Sequence, residues 1–221
     1  QNPLLHHLLA RTYIVTKDLN RAEESLKKAI ELKNDLIAAY IDIGNIYAQR
    51  GNIDEAIKQY NDTININPKV IQPYMLLGVI YEKQGNINKA IENYKKALEI
   101  NPKFGPAANN LAWLYVEHSG NIDVALSLAE TAKESLPEDP FVSDTLGWLY
   151  YKKQAYLKAV SLFRESLEKV TDNPVIHYHL GMAYYKKGDK KLAKQELETS
   201  LKIKKDYPGA EEARAVLKKL G

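Results

Sequence analysis

The chain of 221 residues contains no cysteine, which excludes disulfides and thiolate metal sites and leaves the redox compartment open. Methionine and tryptophan are scarce, at two residues each, and phenylalanine contributes three, so the aromatic content is carried mostly by fifteen tyrosines. No apolar run approaches the roughly 18 residues that a membrane-spanning helix requires. Charge is nearly balanced, at a formal +3, with a basic end: from Pro174 onward eleven Lys/Arg stand against six Asp/Glu. A mild imbalance of this kind reads as a solvated helix surface rather than a field for nucleic acid. The chain opens on Gln1 directly in a helical pattern, without a starting Met. Further sequence upstream is therefore expected, and the compartment, cytoplasm or cell envelope, is left open.

What is present is a period. Tyrosine recurs at Tyr13, Tyr47, Tyr81, Tyr115, Tyr150 and Tyr184, and alanine at Ala22, Ala56, Ala90, Ala125, Ala159 and Ala193. The steps are 34 residues, with a single step of 35 in each series. The clearest copy is Ile71 to Phe104, whose skeleton is Tyr74, Leu77, Gly78, Tyr81, Ala90, Tyr94, Ala97 and Pro102. A fixed period in this range marks units that bury an apolar face only against their neighbours.

This skeleton resembles the tetratricopeptide (TPR) repeat, whose signature is Leu-Gly, Tyr, then Ala, an aromatic and a closing Pro. The resemblance implies an all-α, right-handed superhelical solenoid of six helix-turn-helix repeats, residues 3–36, 37–70, 71–104, 105–139, 140–173 and 174–207, within 1–207. Residues 208–221 then form a C-terminal capping helix, since Ala210, Ala213, Leu217 and Leu220 keep helical spacing while the signature is lost. The turns between paired helices carry Gly51, Gly85, Gly120 and Gly188, residues that tolerate the left-handed conformation ending a helix. Two departures stand out. The fourth repeat has an extra residue around Ser119, placed in its turn, and the fifth has Gln154-Ala155-Tyr156 where glycine is expected, so an altered turn is predicted there. The first helix has leucines around its circumference, at Leu4, Leu5, Leu8 and Leu9. Such a helix expects burial, so either an upstream repeat covers it or it drives self-association.

The family's concave face is lined by the first helix of each repeat, at positions two, five, nine and twelve, steps of three and four that share one helix face. In this sequence that face carries Arg11, Asn45, Met75, Val79, Asn109, Trp113, Phe141, Asp144, Trp148, Tyr151, Tyr178, Met182 and Tyr185 among others. Both tryptophans occupy the same position of adjacent repeats, followed there by Met182, where the family commonly has a polar residue. Trp and Tyr give large contact area and Met adapts to varied shapes, so these residues predict a peptide-binding groove. The competing reading is that the aromatics pack between helices and finish the core. The carboxylate clamp of chaperone-binding TPRs is rejected, because its inner lysines are missing: the fifth positions are His7, Ile41, Met75, Asn109, Asp144 and Tyr178.

No phosphate loop or nucleophile elbow occurs, and His177 and His179, two apart on a helix, face different ways. No cofactor, metal, small-molecule substrate or catalytic role is expected. Nucleic acid is disfavoured because Arg11 is the one certain cation in the groove, opposed by Glu82 and Asp144. The texture of Asn109 to Leu201, with NNLAWLY, DTLGWLYYKK and the run from Asn173, resembles C-terminal repeats of large bacterial TPR proteins, including lipoproteins of exosortase-type sorting and polysaccharide-export systems. That resemblance implies a scaffold in a bacterial envelope assembly. The leading expectation is a protein-interaction scaffold holding a peptide or helical segment of a partner. The alternative is the regulatory or substrate-docking arm of a larger enzyme.

Overall fold

The periodic alanines become one buried stripe per repeat. In the computed structural model, which describes residues 2–119 and 121–221, every second helix buries positions spaced four and then three apart. These are Ala22, Leu26 and Ala29; Ala56, Tyr60 and Thr63; Ala90, Tyr94 and Ala97; Ala125, Ala129 and Ala132; Ala159, Phe163 and Ser166; and Ala193, Leu197 and Ser200. That spacing places three side chains on one narrow face, which is all a helix needs when it packs between two neighbours.

The chain divides into two compact units, Gln1–Pro102 and Lys103–Gly221. The first holds three hairpins: α1 (Pro3–Val15) with α2 (Leu19–Leu32), α3 (Ile37–Gln49) with α4 (Ile53–Ile66), and α5 (Ile71–Lys83) with α6 (Ile87–Ile100). The second holds α7 (Gly105–Leu114) with α8 (Ile122–Ser135), α9 (Pro140–Lys152) with α10 (Tyr156–Lys169), and α11 (Pro174–Lys187) with α12 (Lys190–Ile203), followed by α13 (Ala210–Leu220). Among the described residues all regular structure is helical, as the repeat pattern requires, and no helix is long and apolar enough to cross a membrane.

Helix starts follow the local sequence. Asp139 and Asn173 accept backbone hydrogen bonds from the first turns of α9 and α11, with Pro140 and Pro174 at the first helical position. Gly147 lies where α9 meets α10: a Cβ built there would sit 2.7 Å from Cε1 of Phe163.

Both irregular turns behave differently from expectation. The extra residue of the fourth repeat is absorbed before the turn: Tyr115–Ser119 form a π-helical segment at the end of α7, the usual way a helix takes one more residue without breaking. Gly120 of that turn lies outside the described residues. In the fifth repeat the glycine-free turn keeps the shape of the others, because Gln154 itself takes a left-handed φ of 61°, as Lys17 does at 63° in the first repeat, against 82° at Gly51 and 72° at Gly85.

In the first unit the leucines of α1 stay largely outside the core: Leu4 is 59% exposed, Leu5 63% and Leu8 62%, while Ala10 is sealed against α2 and α3. The second unit has the larger apolar cluster, running from Ala112 through Trp148 and Phe163 to Val216 of α13.

Candidate functional site

In the second unit α7, α9 and α11 lie side by side, and α13 packs against α11 and α12 in the place that the first helix of another repeat would take. Because Trp113 and Trp148 hold equivalent positions on adjacent helices, the side-by-side packing brings the two indoles to one wall. Met182, at the same position of α11, is turned inward and sealed, at 1% exposure, within the apolar cluster.

The wall is an aromatic stack tied down by polar contacts. Trp148 is buried, with its ring 4.2 Å from His179 and 4.7 Å from Tyr151, both stacked. Trp113 is half-buried and its ring lies 6.1 Å from His179. His179 Nδ1 lies 2.8 Å from Asp144 Oδ1, and both residues are buried. A carboxylate only accepts, so Nδ1 carries the proton, which fixes the ring plane beneath the indoles. The Trp148 indole N–H donates to Glu117 Oε1 at 2.7 Å, and the Tyr178 hydroxyl donates to Glu212 Oε2 at 2.6 Å. Burial pushes the Tyr178 hydroxyl strongly up, reinforced by its bond to Glu212, and burial pushes Tyr151 up to about 12, so both stay neutral. The Lys152 ammonium sits 4.7 Å over the Trp148 ring.

These groups surround a cavity of about 350 Å³ lined by Trp113, Glu117, Trp148, Lys152, Val175, Tyr178, His179, Pro208, Gly209 and Glu212. Its volume falls in the lower range of ligand sites, about 300–1,000 Å³. Gly209, at φ 101°, starts α13 so close to Tyr178 that a Cβ would sit 2.6 Å from the ring carbon Cζ; that approach delivers Glu212 to the tyrosine hydroxyl.

The sequence-derived groove residues are thus distributed unevenly. In the second unit Trp113, Trp148 and Tyr178 come together around the cavity, with Asp144 and Tyr151 supporting them. Trp148, Tyr178, Asp144 and Met182 are buried, so they form the floor and core rather than an open wall. Phe141 is 52% exposed, and Tyr185 packs against the apolar cluster. Asn109, one turn before Trp113, has its Oδ1 buried without a hydrogen-bond partner. In the first unit Arg11 is exposed beside a second cavity lined also by His7, Ile41, Asp42 and Gln72. His7 is bonded to Asp42 at 2.8 Å. Asn45 accepts from the Tyr60 hydroxyl at 2.8 Å, while Met75 and Val79 are half-buried.

Sequence reasoning missed Glu117, Lys152, His179 and Glu212. The first depends on the π turn, which re-aims Glu117, and the last on α13 reaching back to the wall. Among the described residues no group of three His, Asp or Glu is placed to hold a metal ion.

Stacked helical hairpins, each burying one narrow stripe of its second helix, define an all-helical repeat protein. Comparison with known proteins agrees. Family models described as tetratricopeptide repeat or TPR repeat match residues 5–36, 44–85, 71–104, 93–127 and 150–220. The chain belongs to the tetratricopeptide repeat proteins. Human mitochondrial import receptor subunit TOM70 is 45% identical over 49 residues, 22% of this chain and 8% of that protein. The structure of the APC/C hetero-tetramer Cut9–Hcn1 aligns over 99% of this chain with a TM-score of 0.77 and 20% identity, and the chain spans 43% of the matched one. YrrB, described as a TPR protein with an unusual peptide-binding site, aligns over 87% of this chain and 99% of its own with a TM-score of 0.69 and 21% identity. At these identities the structural matches speak for the fold.

Proposed function

We propose that this chain is a non-catalytic interaction scaffold that binds a peptide or helical segment of a partner protein on the inner wall of its second unit. The single observation that carries the reading is the cavity built from Trp113, Trp148 and Tyr178, on a row of helices whose family architecture serves to hold other proteins. Rigid aromatic groups fixed by hydrogen bonds lose little entropy when a ligand arrives, which is what a recognition surface needs. Extended and helical ligands both fit a wall of this kind. The resemblance of Asn109 to Leu201 to bacterial sorting and export repeats supports an envelope assembly as the setting.

Selection from a random dodecapeptide display library tests the reading. Binders recovered on the native chain should lose about tenfold or more in affinity on Trp113→Ala, since truncating a central aromatic anchor costs at least that much. Trp113 is half-buried, so circular dichroism and melting are measured alongside to show that the variant is folded. Binders indifferent to Trp113→Ala, with the protein folded, would overturn the proposal.

A further inference from the structure

The cavity of the second unit has a charge character that its aromatic lining conceals. Two carboxylates, Glu117 and Glu212, stand at it, and both residues are exposed. Each spends one oxygen on a ring donor of the wall, Trp148 Nε1 at 2.7 Å and Tyr178 Oη at 2.6 Å, so their positions are fixed rather than free to follow solvent. Among the described residues neither carboxylate has a Lys, Arg or His within ion-pair distance, although other carboxylates such as Glu23, Glu165 and Glu196 do. The one cation in the lining, Lys152, is placed over the Trp148 ring rather than on a carboxylate. His179 is committed to Asp144 beneath the wall.

We infer that this cavity takes the side chain of an arginine carried by the partner peptide. The inference rests on the groove reading above and names the chemistry of its ligand. An acidic ligand would meet two fixed negative charges, and an apolar one would leave both uncompensated. A guanidinium suits this lining: it is planar, weakly hydrated, suited to stacking on an indole, and its charge and five donors match carboxylate acceptors. Its methylenes lie along apolar surface such as Val175 while the charged head stays near the mouth. Lysine, a compact and strongly hydrated point charge, fits the same place less well.

The peptides recovered by display on the native chain supply the probe. They are expected to share an arginine at a fixed place. Replacing that arginine with citrulline, which keeps the shape and removes the charge, should weaken binding about tenfold or more, and replacing it with lysine should weaken it by less. The double variant Glu117→Gln with Glu212→Gln should lose a similar factor, because glutamine still accepts from Trp148 and Tyr178 and so preserves the wall; its melting curve confirms that it is folded. Glu212→Gln alone provides a milder second variant, expected to lose part of that factor. Binders that depend on Trp113 yet ignore both citrulline and the carboxylate variants would overturn the arginine assignment and leave the groove reading standing. Binders that ignore Trp113→Ala, or no binder at all, would count against both.

Discussion

Trp148 and Glu117 are hydrogen-bonded at 2.7 Å, indole N–H to carboxylate, across the boundary between the fourth and fifth repeats. Glu117 belongs to the π-helical segment that the extra residue creates, so an irregularity in chain length becomes a strut under the aromatic wall. Trp148→Phe keeps an aromatic ring and removes the donor; it should lower unfolding free energy by about 1–2 kcal/mol, read from urea melts. Trp148→Ala removes the stack as well and should cost about 3–5 kcal/mol.

The turn residue Gln154 and the helix-packing residue Gly147 predict effects of opposite sign. Gln154 pays for a left-handed φ of 61° that glycine adopts freely, so Gln154→Gly should be neutral to stabilising, by up to about 1 kcal/mol, despite the entropy that glycine adds to the unfolded chain. Gly147→Ala should destabilise by about 1–3 kcal/mol, because the new methyl would meet the buried Phe163 ring. Thermal melts of the two variants should therefore shift in different directions or differ by several degrees.

His177 makes stability depend on pH. Its Nδ1 lies 2.7 Å from Glu196 Oε2 and its Nε2 lies 3.0 Å from the Thr171 carbonyl. Both partners are acceptors, so only the doubly protonated imidazolium donates to each. The hydrogen bond to Glu196 accordingly raises the pKa above its ordinary 6.5, against the opposing pull of burial. A raised folded value means the contribution is fully present below the unfolded pKa and fades as pH climbs through the folded one. The stability advantage of the native chain over His177→Gln should be larger at about pH 5.5 than at about pH 8, compared in urea at both.

Exposed leucines on α1 predict association. Leu4, Leu5 and Leu8 are each more than half exposed, an apolar patch that soluble monomers seldom leave uncovered. Light scattering over a concentration series should show a mass that rises with concentration, and Leu5→Glu with Leu8→Glu should suppress the rise. A mass that stays at that of one chain would remove this expectation.

The repeat scaffold was legible because its determinants are local and periodic. One alanine stripe and one small residue per hairpin set each interface, and both recur at a visible interval. The aromatic wall was legible only in part. Position along a helix placed Trp113 and Trp148 together, but it could not tell an open face from a sealed one. Met182 and Tyr178 share that face by spacing, yet the apolar cluster and α13 close over them. Glu117 and Glu212 escaped notice for a physical reason: a π turn and a left-handed glycine set their positions, and neither shift shows in a periodicity count.

The chain has only two tryptophans, both at the wall, so their indole N–H resonances report on the site alone. Titrating isotope-labelled protein with a display-selected peptide, the indole signals of Trp113 and Trp148 should move among the earliest and largest changes, saturating with the peptide's own affinity. If both indoles stay fixed while backbone signals of α8, α10 and α12 move instead, the peptide binds the outer helices and the inner wall is not the recognition surface.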